Sequence, residues 1–237
     1  MRVLLLSGLI CLSPLYPPQP LIHPVSSGPV EVPRHSSATA APMPPARGPL
    51  SLGELDRGDG PPTLLALGEA VATITGQDLY VSEATRQVLA NIPLVSIGTR
   101  EVPAEEVYPF FEAVLLREAV LLTCSGTPSA PLFGLHLANA PHPMLGFEAY
   151  RVDASELGRL EDHPALLVQT LFETGSTPAR ELVASLSATI ARVPACSLIA
   201  AGGHTLLVTG PVRWVRTIEA VLDHPGTREE EPGSGTR

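Results

Sequence analysis

The residues that could do chemistry in this chain are seven histidines and three cysteines, and the histidine spacing argues against a reaction centre. No histidine pairs with another three or four positions along a predicted helix, the spacing that brings two rings to one metal ion. His142, His163 and His224 precede proline in predicted loops, where we expect solvated surface positions. His136 lies in a predicted strand and His204 in a predicted hairpin turn, so local hydrogen bonding is their expected role.

The cysteines Cys11, Cys124 and Cys196 form no Cys-x-x-Cys pair and no spacing suited to zinc. Cys124 and Cys196 each lie in an apolar, strand-like run, where a free cysteine packs as a small hydrophobic residue. We therefore expect buried thiols rather than a bridge between them. The sequence predicts no metal site.

Motifs for catalysis are absent from the sequence as well. Glu105 and Glu106 diverge by about 100° on a helix, so they cannot act together as an acid and base on one substrate. Stabilisation of the helix dipole, about 0.3 to 1 kcal/mol, explains the two carboxylates. Gly202-Gly203 lacks the spacing and the lysine of a phosphate-binding loop, and no Gly-x-Ser-x-Gly occurs. We expect a non-enzymatic protein without a cofactor.

Charge limits the classes of partner. The net charge is −9, and all 15 cationic side chains are arginine. This composition leaves no basic patch dense enough to neutralise many phosphates. Nucleic acid is not an expected partner.

The N-terminus predicts export. Arg2 precedes an apolar run, Val3–Leu12, that suits a signal-peptide core and is too short for a membrane-spanning helix, which needs roughly 20 residues. No small-x-small triplet follows the run directly, and Val25–Ser27 is the nearest tolerable cleavage site. We interpret residues 1–13 as a signal segment and expect a periplasmic or exported envelope protein. Residues 14–62 are proline-rich without periodicity, which predicts a disordered tether.

A weak internal repeat predicts two small α+β modules. Segments that begin at Pro103 and Pro178 each combine an amphipathic helix with two following apolar runs. Such a helix-then-hairpin unit buries its apolar face only when strands pack beneath it, so we expect each module to have a core and a small mixed sheet of its own. The apolar stripes comprise Ala104, Val107, Tyr108, Phe111 and Leu115 in the first helix, and Ala179, Leu182, Val183, Leu186 and Ile190 in the second.

Each module has a predicted order of elements. The first, residues 63–140, reads helix, strand, strand, helix, strand, strand, with Thr63 and Gly76 at the ends of its first helix. The second, residues 166–226, reads strand, helix, strand, strand, helix (βαββα). Residues 141–165 form a connector with an extra strand, and residues 227–237 a disordered acidic tail. The predicted strands are Leu79–Ser82, Ile92–Ile97, Ala119–Thr123, Leu132–Leu137, Phe147–Val152, Leu166–Phe172, Cys196–Ala200 and Thr205–Thr209, and the last helix is Pro211–Asp223.

The helix that begins at Pro103 has one local inconsistency. Pro109 in its interior would remove the hydrogen bond to the carbonyl of Glu105, at about 3 kcal/mol, and would kink the helix. Phe110 and Leu116 lie off the apolar stripe. Two large apolar side chains on an outer face fit a partner-binding surface, or a surface that the connector covers within the same chain.

Several short segments of both modules resemble the N-terminal periplasmic modules of the secretin family, the outer-membrane channel proteins of bacterial secretion and pilus systems. The first module resembles the opening secretin module in Gly76–Val81 and Val102–Phe111. The second resembles the repeated, KH-like secretin module in Thr177–Leu182, in Leu206–Pro211 and in Val215–Glu219.

The resemblance covers residues 63–226 and implies a scaffold or adaptor. Secretins use these modules to stack into rings and to dock other proteins, so the implied partners are envelope or secretion-system proteins, a second copy included. No long series of alternating strands follows the second module, so we expect no channel. The rival interpretation is a small-ligand or cell-wall-binding protein in which Trp214 or Tyr150 stacks on the ligand. RNA binding is not expected, because no Gly-x-x-Gly lies between adjacent helices.

Overall fold

The computed structural model describes residues 43–55, 61–94, 101–127, 130–139, 148–190, 193 and 195–223. The predicted signal segment 1–13, most of the predicted tether and the predicted tail 227–237 lie outside these residues, as do His142 and His224.

The described chain is α+β with small mixed sheets, as the sequence predicts. In the first module, β3 pairs antiparallel with β1 of the preceding segment, while β2, β5 and β4 form a three-stranded sheet in that order. Strand β2 is parallel to β5, and β4 is antiparallel to it. The elements are β1 (Leu50–Ser51), α1 (Leu64–Thr75), β2 (Leu79–Val81), α2 (Glu83–Leu89), β3 (Glu101–Val102), α3 (Val107–Arg117), β4 (Val120–Thr127) and β5 (Ala130–Leu137).

The second module has the predicted order of strand, helix, strand, strand and helix, preceded by the extra strand expected in the connector. Its sheet has the strand order β6-β7-β9-β8, in which β6 is parallel to β7 and the other pairs are antiparallel. The elements are β6 (Tyr150–Arg151), a 3-10 segment (Ala154–Leu160), β7 (Leu167–Glu173), α4 (Ala179–Ile190), β8 (Ser197–Ala200), β9 (Thr205–Pro211) and α5 (Val212–Asp223).

Helix α1 has the predicted caps. The Thr63 side chain accepts a hydrogen bond from the Ala66 amide at 3.3 Å, which satisfies one of the free donors of the first turn. Gly76 ends the helix with a φ of 68°, a left-handed conformation that glycine adopts without steric cost.

The region after β2 differs from the sequence prediction. Helix α2 was not predicted, although Ser82 caps it by accepting from the Thr85 amide at 3.1 Å. The strand predicted at Ile92–Ile97 is wrong for residues 92–94, because these bond to the start of α1 instead of joining a named strand. Residues 95–97 of that prediction lie outside the described residues. The Leu64 amide donates to the Ile92 carbonyl at 3.0 Å, and the Leu94 amide to the Pro62 carbonyl at 2.7 Å.

The prediction of a disordered tether up to residue 62 is wrong for residues 43–55. Met43 and Leu50 are buried in the core, and the Arg47 amide donates to the carbonyl of Ile74 at 2.8 Å. The high proline content indicated disorder, although Met43 and Leu50 are apolar and both reach the core.

The expected interior position of Pro109 is also wrong. A 3-10 turn, Ala104–Glu106, follows Pro103, and α3 begins only at Val107. Pro109 therefore lies in the first turn of α3, where amide groups have no acceptor within the helix. The missing N–H removes no helical hydrogen bond there, so the reason for a kink disappears.

One cluster of buried apolar side chains runs through both modules, so the prediction of two separate cores is wrong. The cluster includes Phe111 and Leu122 from the first module and Leu166 and Leu206 from the second. Leu122 and Leu166 are partners in an isolated parallel bridge that joins β4 to the chain just before β7. The two modules therefore share a core.

The sequence also predicts an apolar stripe on the last helix, Trp214, Val215, Ile218, Val221 and Leu222, and the structure buries this stripe only in part. Val215 and Ile218 are buried and Leu222 is half-buried, together with Trp214. Val221, which the stripe also included, is 47 % exposed, so the buried face of α5 is narrower than predicted.

Candidate interaction site at the module junction

Residues 163–166, called the junction segment below, bond to both modules in alternation. His163 and Ala165 face the first module: His163 Nδ1 lies 2.8 Å from Glu112 Oε1, and the Ala165 amide donates to Glu112 Oε2 at 2.9 Å. The Leu122 amide of β4 donates to the Ala165 carbonyl at 3.1 Å. Both backbone groups of Ala165 are thus held by the first module.

The other two residues of the junction segment face α5. The Leu166 carbonyl accepts from the Val212 amide at 2.9 Å, and the Pro164 carbonyl accepts from the Arg213 amide at 3.3 Å. These amides belong to the first turn of α5, which has no acceptors within its own helix. The junction segment therefore caps α5 while it pairs with the first module.

Glu112 is the ionisable residue at the centre of this arrangement. It lies on α3 one turn after Tyr108 and one turn before Leu115, so helix geometry directs it to the buried face. Its side chain is 0 % exposed. Burial raises the pKa of the Glu112 carboxyl, and the hydrogen bond with His163 acts in the opposite direction.

A tight turn carries His163 inward. The His163 amide donates to the Leu160 carbonyl at 2.8 Å, directly after the 3-10 segment. The buried ring then meets Tyr108 edge to face, with centroids 5.6 Å apart. The prediction of a solvated surface position for His163 is therefore wrong. An acidic residue within the apolar stripe of α3 was a usable signal for Glu112, whereas nothing near His163 in the sequence indicates its partner.

The two predicted partner-binding residues, Phe110 and Leu116, lie on α3 and are half-buried against the core. They therefore present less apolar surface than an outer-face position implies. Partner binding at Phe110 and Leu116 stays a prediction.

A more exposed set of apolar side chains crosses the sheet of the second module. Leu207 of β9 is the register partner of Leu171 on β7 and of Ile199 on β8, so the three form one row, called the apolar row below. Leu171 is 41 % exposed and Ile199 is 54 % exposed. Their neighbours Phe172 and Leu206 belong to the core, so the apolar row lies on the opposite face of the sheet. No residue of the apolar row was singled out from the sequence.

The other histidines and the cysteines of the described residues belong to neither of these two regions. His136 Nε2 lies 2.8 Å from Glu148 Oε2, the local bonding that the sequence predicts. Cys124 is buried and Cys196 half-buried, and both thiols are free. Burial raises the pKa of Cys124 to about 11 and that of Cys196 to about 12, so both stay protonated and weakly nucleophilic at neutral pH. His204 is exposed in the turn before β9.

The aromatic residues of the rival interpretation lie on different elements. Trp214 of α5 lines a small apolar depression together with Ile190 and Cys196. Tyr150 of β6 is half-buried and packs against the core. The space between the modules at the junction is filled by the shared core. Ligand stacking on Trp214 or Tyr150 stays a prediction.

Within the part of the chain that the structure describes, no three His, Cys, Asp or Glu side chains group as metal ligands. No helix in those residues has the length and apolar character to cross a bilayer.

Comparison with known proteins finds a similar fold in a solved structure. No protein-family model matches the chain, and no curated protein does. Among solved structures, similarity is found to a chain of the Klebsiella pneumoniae type II secretion system outer membrane complex, which contains PulD, PulS and the PulC HR domain. The TM-score is 0.52 at 12 % identity, over 81 % of this chain and 27 % of that chain. At this identity the likeness shows a shared fold, and this chain spans about a quarter of the length of its neighbour.

Proposed function

We propose that this chain is a non-enzymatic scaffold or adaptor of the cell envelope, related to the periplasmic part of secretins. It acts through contacts with other proteins in a secretion-type or pilus-type assembly, and it is exported to the periplasm or envelope. Its partners are envelope or secretion-system proteins, a second copy of the chain included.

The observation that carries this proposal is the shared fold with a chain of a type II secretion complex over 81 % of the residues. The similarity spans both modules rather than one, so it supports kinship with a tandem arrangement. Secretin-like phrases in the sequence, Gly76–Val81 in the first module and Thr177–Leu182 in the second, support the same interpretation.

The surface of the second module supports a role in protein contacts. Strand β8 lies at the end of its sheet, and a strand in this position offers unpaired backbone groups to a neighbour. The apolar row reaches this strand through Ile199, whose exposed side chain would be desolvated by a partner. Negative net charge is consistent with protein rather than nucleic-acid partners.

The proposal is tested by fractionation combined with site-specific photo-crosslinking in the cells that encode the chain. A photoreactive amino acid replaces Ile199 in one strain and Phe110 in another, and a matched control carries it at Glu69, an exposed polar position on α1. We expect the chain in the envelope or periplasmic fraction. We also expect an adduct from the Ile199 position with a secretion-type or pilus-type component or with a second copy, and none from Glu69.

Two results would contradict the proposal. One is recovery of the full-length chain in the cytosol with no exported form. The other is the absence of a protein adduct at both Ile199 and Phe110 in cells that produce the chain at its natural level. An adduct at Phe110 alone would move the contact surface to α3, as the sequence predicts.

A further inference from the structure

We propose that Glu112 and the junction segment form an orientation lock, which holds the first module at one fixed angle to the second. This inference concerns the conformation of the chain and is independent of the proposed function. It follows from the direction, burial and placement of a few hydrogen bonds.

The hydrogen bonds at the junction are directional, and two of them are made by the backbone of one residue, Ala165. Ala165 donates its amide proton to Glu112 Oε2 at 2.9 Å and accepts the Leu122 amide proton at its carbonyl at 3.1 Å. The donor and acceptor of Ala165 point to two different elements of the first module, α3 and β4. A rotation of one module against the other would lengthen at least one of these bonds. Apolar contacts alone have no such directional preference.

The junction segment, residues 163–166, also bonds to the second module. The carbonyls of Pro164 and Leu166 accept from the first turn of α5, at 3.3 Å and 2.9 Å. The junction segment thus has no freedom to follow one module while it leaves the other. The orientation of α5 relative to α3 is set through residues 163–166.

A gain in stability does not explain the buried carboxyl of Glu112. Glu112 is fully buried, and burial outweighs its hydrogen bonds, since its pKa is raised. Buried ionic and polar groups of this kind are often replaced by apolar residues with little loss, or even a gain, of stability. What such groups provide in several proteins is a unique arrangement. Glu112 and His163 fit that role because Glu112 belongs to the first module, while His163 belongs to the junction segment that caps α5 of the second.

The test measures the distance distribution between the modules in the full chain. Spin labels are attached at Ala84→Cys on α2 and Ala188→Cys on α4, two exposed positions with small side chains. Cys11→Ser removes the leader thiol. The burial-raised pKa values of Cys124 and Cys196, about 11 and 12, slow their labelling.

Three variants are compared with the parent in this labelled background. The double variant Glu112→Met, His163→Phe replaces the bonded pair by apolar side chains. The conservative variant Glu112→Gln keeps an acceptor for the Ala165 amide and a partner for the other tautomer of His163. The matched control Ser187→Met places the same side chain at an exposed position of α4, where Ser187 follows Pro178 as Glu112 follows Pro103.

We expect a single narrow distance in the parent, in Glu112→Gln and in Ser187→Met. For the double variant we expect a distribution at least about twofold broader with cooperative melting retained, because several packed orientations then have similar free energies. A distribution as narrow as that of the parent in a folded double variant would overturn the proposal.

Amide hydrogen exchange of the unmodified chain keeps the proposal falsifiable if the double variant does not fold. A lock that opens only when the whole protein unfolds should protect the Ala165 and Leu122 amides to within about tenfold of the slowest core amides. Exchange about a thousandfold faster than those amides would show that the junction opens locally, and it would overturn the proposal.

Discussion

Helices α3 and α4 carry the same apolar stripe at equivalent positions of the repeat but differ in how deeply the stripe is buried. The stripe of α3 is buried at Val107, Tyr108, Phe111 and Leu115. On α4 only Ala179 and Ile190 are buried, while the three stripe residues between them are half-buried. The pattern of apolar residues thus determines that a helix forms, whereas the elements that surround it determine how much of the stripe leaves water.

The cause of the difference is the number of elements that cover each helix. Helix α3 packs against α1 and β4 and also receives the junction segment through Glu112. Helix α4 packs mainly on β8, the strand at the end of its sheet. A helix beside a sheet edge is covered by fewer elements, so part of its surface stays exposed to solvent. The first module is therefore the better-packed half at this position of the repeat.

The largest expected effect comes from truncating equivalent stripe residues. Phe111 and Leu186 occupy the same position of the repeat, but Phe111 is fully buried and Leu186 is half-buried. We expect Phe111→Ala to lower the free energy of unfolding by about 3 to 5 kcal/mol, and Leu186→Ala to lower it by less than about 2 kcal/mol. Urea denaturation measures both. Equal losses would remove the contrast between the helices.

The next largest effect concerns the polar position of the same stripe. Glu112→Leu leaves the Ala165 amide and one nitrogen of His163 without the carboxyl that they contact, at about 1 to 3 kcal/mol for each buried group. Ser187→Leu at the equivalent exposed position of α4 should change the free energy of unfolding by no more than about 0.5 kcal/mol. Thermal or urea unfolding of the two variants checks this. A loss in Ser187→Leu comparable to that in Glu112→Leu would contradict the assignment of the two environments.

A pH dependence with an unusual sign should sharpen the same comparison. Because the pKa of Glu112 is raised in the folded protein, the folded state binds its proton at a higher pH than the unfolded state does. The stability from this group is therefore fully present below the unfolded pKa and is lost as the pH rises through the folded one. Tyr108 and His163 are the titratable groups in contact with this region.

The measurement is the difference in unfolding free energy between the parent and Glu112→Gln from pH 7 down to the ordinary glutamate range. We expect the parent to gain stability relative to the variant as the pH falls, because glutamine does not titrate. A parent that loses stability relative to Glu112→Gln over this interval would mean that the carboxylate is stabilised by its partners at the junction.

The smallest expected effect is at Pro109. In the first turn of α3 its missing amide removes no helical bond, so Pro109→Ala should change the free energy of unfolding by within about 0.5 kcal/mol. An interior proline would instead be relieved by about 3 kcal/mol. A large gain of stability in urea denaturation would restore the interior position that the sequence predicts.

Local signals carried most of the secondary structure. The Thr63 cap and Gly76 predicted α1, and pairs of apolar runs joined by turn residues predicted the β4–β5 and β8–β9 hairpins. Helix α2 was missed although Ser82 is a standard capping residue, because its exposed face and short length leave little apolar periodicity.

Features that depend on distant partners were not predictable. Met43 and Leu50 lie in a proline-rich segment but belong to the core, and Leu50 pairs there with Val102 of β3, about fifty residues away. His163 is preceded and followed by residues typical of a loop, and its role arises only because α3 places Glu112 beside it. The repeat suggested two cores because periodicity reports one face of each element and does not report which module covers it.

The central claim is that both modules share one core through the junction segment, and equilibrium urea unfolding followed by amide NMR tests it most directly. Signals from Leu67 in α1 and Val215 in α5, both buried, report the two modules separately in the same titration. A shared core predicts one midpoint and one slope for both amides, as in two-state unfolding of a single domain. Separate midpoints, with Leu67 and Val215 losing their folded signals at different urea concentrations, would contradict it.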